Sequence, residues 1–79
     1  LSKYRTYDIY QAGYFVLKGE AVKVEKDERG KVVFEFGDRN RIEELLAEFD
    51  KGDMVVVANY VSVVKNLRSR MYNLLNGEG

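Results

Sequence analysis

The sequence predicts a small α+β domain, with a short antiparallel sheet built on a β-hairpin and covered by helices. Three observations carry that expectation. Residues Glu20–Gly37, EAVKVEKDERGKVVFEFG, alternate apolar and polar positions on either side of a turn signal. Three further segments repeat their apolar residues at helical spacing of three and four. The chain has 79 residues, of which 46% are hydrophobic, enough for one core and one domain spanning 1–79. The expected element order is α-β-β-α-β-α, with the helices gathered mainly on one side of the sheet.

In the hairpin, Val22 and Val24 point to one face of a strand, and Val32, Phe34 and Phe36 share a face of the return strand. Asp27-Glu28-Arg29-Gly30 joins them. Asp at the head of a turn bonds backbone two residues on, and glycine takes positive φ without steric cost, so a type I turn closed by a glycine bulge is expected. A lone hairpin is marginal in water, so other elements must cover its Val/Phe face.

Residues 1–5 are read as an extended arm and 76–79 as a flexible tail. Thr6 is the expected cap of a first helix, Tyr7–Lys18, with Asp8 in its first turn and Gly19 as its stop. This helix is unusually apolar. Ile9, Ala12, Gly13 and Val16 form one stripe, and Tyr7, Tyr10, Tyr14 and Leu17 form a second. Two readings of the second stripe stand side by side: ordinary core packing with hydroxyls reaching water, or a self-association or ligand surface. Gly13 costs about 1 kcal/mol inside a helix, which points to close backbone approach there.

After the hairpin, Asp38 or Asn40 caps a second helix, and Asn40 with Glu43 has the spacing of a capping box. Ile42, Leu45, Leu46 and Phe49 form its apolar stripe, Glu43, Glu44 and Glu48 face outward, and Gly52 ends it. The β-branched run Met54–Val57 reads as a third strand. Asn59 then caps a last helix, Tyr60–Leu75, on which Tyr60, Val64, Leu67, Met71 and Leu74 make the core stripe.

Several function classes are narrowed by composition. There is no Cys and no His, which removes histidine acid–base catalysis, cysteine nucleophiles and His/Cys metal sites. The carboxylates of the second helix and of the Asp50–Asp53 turn read as solvated groups, and the glycines do not form a phosphate cradle. No enzyme, cofactor or metal is therefore expected. Nor does any apolar run approach a bilayer span, so no membrane contact is expected and the expected setting is cytoplasmic. Net charge is zero but unevenly spread: residues 1–19 carry +2, residues 20–53 carry −4 and residues 54–79 carry +2.

On the last helix, Lys65, Arg68 and Tyr72 line up beside the core stripe, with Val61 before them. Cations track phosphates and an aromatic stacks on a base, so these residues form a candidate nucleic-acid contact, joined by Lys3 and Arg5 if the chain ends meet. Against it stands the plain reading that Lys65 and Arg68 snorkel at the edge of the core. The first expectation of function is a non-catalytic module that self-associates as a homodimer. The alternative is a small nucleic-acid-binding protein.

The pattern Tyr4-x-Thr6-x-Asp8-Ile9-Tyr10-x-Ala12-x-Tyr14-x-x-x-Lys18-Gly19 resembles the start of an uncharacterised family of small proteins of bacteria, archaea and their viruses. Val33-Phe34-Glu35-Phe36 and Val63-Val64-Lys65-Asn66-Leu67-Arg68-Ser69 are similar to later parts of it, so the resemblance covers most of the chain. It implies a viral or mobile-element context, with host-cell cytoplasm as the setting if viral. No activity is assigned to that family, and it transfers no catalytic residue.

Overall fold

The computed structural model describes residues 2–77. Within them, three helices cover one face of a three-stranded antiparallel sheet, so the α+β class stands. The elements are β1 (Tyr4–Thr6), α1 (Ile9–Leu17), β2 (Lys23–Lys26), β3 (Val32–Phe36), α2 (Arg39–Asp50) and α3 (Val57–Leu75). In the sheet, β3 lies between β1 and β2.

The hairpin forms as its sequence requires. Val24 pairs with Phe34 and Lys26 with Val32. Asp27 Oδ1 accepts from the backbone N–H groups of Arg29 and Lys31, and Gly30 takes φ +84° to close the turn.

The third strand is not where the β-branched run suggested. It lies in the expected N-terminal arm, where Tyr4 pairs with Phe36 and Thr6 with Phe34. Alternation explains this: Tyr4 and Thr6 turn to the helices, and Arg5 turns away. Residues Met54–Val56 belong to no strand of the sheet, in which β1 and β2 flank β3. Val57 opens α3 three residues before the expected start.

Helix boundaries shift for similar reasons. Thr6 ends β1, so Asp8 becomes the cap of α1, accepting from the N–H groups of Tyr10 and Gln11. Tyr7 consequently lies before the helix. Asp38, not Asn40, caps α2 through the N–H of Arg41. Val56, not Asn59, occupies the cap position of α3 and offers no side-chain acceptor. Of the expected tail, residues 78 and 79 lie outside the described residues, as does Leu1 of the arm.

The core fills the space between the layers. Phe15 is fully buried and packs edge-on to both Tyr4 and Phe36, while Phe34, Ile42, Leu45 and Leu67 close around it. Helix α1 lies between α2 and α3 and contacts both. Its middle turn, Ala12 to Phe15, is buried all round. Gly13 permits this: a Cβ there would stand 2.7 Å from Val64 Cγ2. The result is a plate of 36 × 32 × 17 Å, the thickness of one sheet and one helix layer.

Candidate functional site

The two faces of the plate differ in chemistry. On the sheet's outer face, Arg5 pairs with Glu25 and Glu35 at 3.4 and 3.5 Å. Lys3 reaches Glu35 at 3.3 Å, and Lys23 reaches Glu25 at 3.5 Å. Opposite charges thus lie interleaved across the strands and leave little net field. Lys3 and Arg5, two of the expected nucleic-acid contacts, belong to this face. Lys65, Arg68 and Tyr72 stand on α3 in the helix layer, so the structure does not gather the five into one patch.

The helix face carries an apolar strip. At 3.6 residues per turn, Val57, Val61, Arg68, Tyr72 and Leu75 fall within an arc of about 60° on α3, and Lys65 lies just beyond it. Val57 is 72% exposed, Tyr72 66% and Leu75 47%. Helix α1 adds Tyr10, which is 53% exposed and whose hydroxyl accepts from the Arg68 guanidinium at 3.4 Å. The Tyr60 hydroxyl donates to the Tyr10 carbonyl at 2.8 Å and ties the two helices together. At one end of the strip, Met54 and Val56 project from the α2–α3 connection. At the other, Tyr7 faces Leu75 and Met71 across a groove of about 400 Å³.

Of the four residues expected to form a self-association stripe, Tyr7 and Tyr10 are exposed, Leu17 is half-buried and Tyr14 is buried. The Tyr14 ring packs on Phe15 and Phe49, and its hydroxyl donates to Asp53 Oδ2 at 2.6 Å, with Glu48 Oε1 beside it at 3.3 Å. Burial, and then the Asp53 hydrogen bond, raise the Tyr14 pKa well above that of a free phenol. The same bond, followed by that from Lys18 at 2.9 Å, lowers the Asp53 pKa. Tyr7 repeats the motif on the surface, donating to Asp27 Oδ2 at 2.6 Å with Lys31 over its ring. These tyrosines fasten elements together: Tyr14 holds the α2–α3 connection to α1, and Tyr7 holds the hairpin tip.

Sequence reasoning missed Met54, Val56 and Val57, because a β-branched run reads as strand. Among the described residues, no group of three His, Cys, Asp or Glu side chains could hold a metal ion, and no helix is long and apolar enough to cross a membrane.

The profile of DUF5659, a domain of unknown function, matches residues 2–73. The chain belongs to this family. The match takes in all three strands and all but the last two residues of α3, so the DUF5659 fold is the plate described above. No curated protein and no solved structure matches the chain.

Proposed function

We propose that this DUF5659 protein is a non-catalytic interaction module that self-associates through its helix face. The observation that carries the reading is the apolar strip along α3 and the start of α1. Eight large apolar side chains in the described residues are 42–90% exposed. Each leaves on the order of 100 Å² uncovered, so together they approach the ~800 Å² that one partner contributes to a standard interface. A second copy offers the same strip, and an isologous pairing covers both at once. The viral or mobile-element setting and the cytoplasmic location rest on the sequence resemblance and composition alone.

Sedimentation at micromolar concentration tests the reading. The expected species has twice the 9.1 kDa mass of the chain, and Val61→Glu reduces it to one copy. A wild-type protein that stays at 9.1 kDa overturns the proposal.

One observation favours a second reading, nucleic-acid binding. Helix α3 holds Lys65, Arg68 and Arg70 and no carboxylate, with Tyr72 exposed beside them. Here the contact set is Lys65, Arg68 and Tyr72, without Lys3 and Arg5. Mobility shift with single- and double-stranded DNA and RNA is the check, since phosphate contacts strengthen as salt falls. Absence of a shift at low salt removes this reading.

A further inference from the structure

We propose that the strip on α3 also takes a helix of another protein, one that is apolar at both ends and carries a carboxylate at its middle. This goes beyond self-association, since it gives the same face a second occupant of different chemistry.

The strip is not uniform along its length. Val57 and Val61 lie toward one end and Tyr72 and Leu75 toward the other, all exposed. Between them stand Lys65 and Arg68, also exposed. At 1.5 Å per residue, the middle of each apolar pair lies about 11 Å from the middle of the cation pair, or two helical turns. Helix α3 holds no Asp or Glu. Among the described residues, neither cation has a carboxylate within ion-pair distance. Arg68 donates instead to the neutral Tyr10 hydroxyl, at 3.4 Å.

Covering the four apolar groups takes water from the two cations as well. Unpaired charge resists such burial, and a carboxylate brought against the cations offsets it. The α3 of a second copy brings no carboxylate, so it is the weaker occupant of the two. A nucleic-acid backbone brings negative charge but no apolar surface for Val57, Val61 and Leu75 to pack on. An amphipathic helix supplies both, laid along the strip with its anchors three and four residues apart. Its pattern is the same whichever way it runs along α3. An apolar pair comes first, a Glu or Asp about seven residues on, and a second apolar pair about seven residues beyond that.

Fluorescence anisotropy with three labelled helical peptides, each the nineteen-residue length of α3, tests this on the full chain. The peptides share leucine pairs toward both ends and differ only at the centre, which holds Glu, Gln or Lys. Expected is binding of the Glu peptide at least about tenfold tighter than the Gln peptide, with the Lys peptide weaker still. The double variant Lys65→Glu, Arg68→Glu changes two exposed positions and is expected to reverse that order, with circular dichroism confirming that it stays folded. Val61→Glu is expected to weaken all three. Equal affinity for the three peptides, or an order that survives the charge reversal, overturns the proposal. So does a single-stranded oligonucleotide that binds more tightly than the Glu peptide at physiological salt, since the strip then belongs to nucleic acid. Sedimentation keeps this proposal apart from self-association. A wild type that stays at 9.1 kDa alone and still binds the Glu peptide overturns self-association and supports the partner helix. A dimer that binds none of the peptides overturns the partner helix alone.

Discussion

Gly13 shows how one residue sets the spacing of two helices. The absent side chain lets α3 approach until Val64 Cγ2 occupies the place of a Cβ, 2.7 Å away. Gly13→Ala gains about 1 kcal/mol of helix propensity but presses a methyl against a buried, χ1-stiff valine, at a cost of ~1–3 kcal/mol. The expected net effect is a loss of about 1 kcal/mol, or roughly 4–8 °C in Tm for a domain of this size. Adding Gly13→Ala to a Val64→Ala background is expected to stabilise it, because the clash is gone and the propensity gain remains. Thermal melts of the four proteins check this.

Tyr14 and Asp53 make a second residue-scale case, one that depends on pH. The folded Asp53 pKa is lowered, first by the Tyr14 hydrogen bond and then by Lys18. Its contribution is therefore complete above the unfolded value and is lost as pH falls through the folded one. Tyr14 has the opposite sign: its raised pKa gives a contribution complete below the unfolded value near 10 and lost as pH rises through the folded one. Asp53→Asn is expected to flatten the decline of stability below about pH 5 and leave a shallower acid limb than wild type. Denaturant midpoints measured across the acid range check it, and an unchanged limb counts against the Asp53 assignment.

At the scale of elements, the parts of the fold set by local chemistry were legible in the sequence, and those set by competition for a sheet edge were not. The hairpin, the stripe of α2 and the core stripe of α3 all lie where their periodicities place them, because each pattern reports a face that must be buried. The expected close approach at Gly13 is also present. β1 was missed because three residues carry little periodic signal, and Met54–Val57 was misplaced because a methionine followed by three β-branched valines fits either structure. The candidate site was legible only in part, since burial alone separates Tyr14 from Tyr10. The start of α3 supplies a prediction of its own. Val56 has extended backbone, φ −72° and ψ 116°, but no side-chain acceptor for the first-turn N–H groups. Val56→Asp supplies one and is expected to raise stability by about 1 kcal/mol. It also removes an apolar group from the strip, so the same variant is expected to pair more weakly. A higher Tm in dilute solution together with a lower dimer fraction is the joint result to look for.

The whole molecule is a plate with unlike faces. The sheet face mixes cations and carboxylates at close spacing, as an edge-rich sheet does when it resists pairing with other chains. The helix face leaves valine, tyrosine and leucine uncovered along a helix of nineteen residues. In a chain this small, folded stability is expected to be only several kcal/mol, so covering that strip changes the balance measurably. Mass action makes the effect visible: if pairing is coupled to folding, each tenfold rise in protein concentration adds about 1.4 kcal/mol per dimer and raises Tm by a few degrees. Val61→Glu is expected to abolish that dependence while leaving Tm in dilute solution near the wild-type value, since Val61 is already 42% exposed within one copy. Lys23→Glu, on the sheet face, is expected to keep the dependence intact. Scanning calorimetry across two decades of concentration distinguishes the two variants, and a wild-type Tm that ignores concentration would show that the strip remains uncovered in solution.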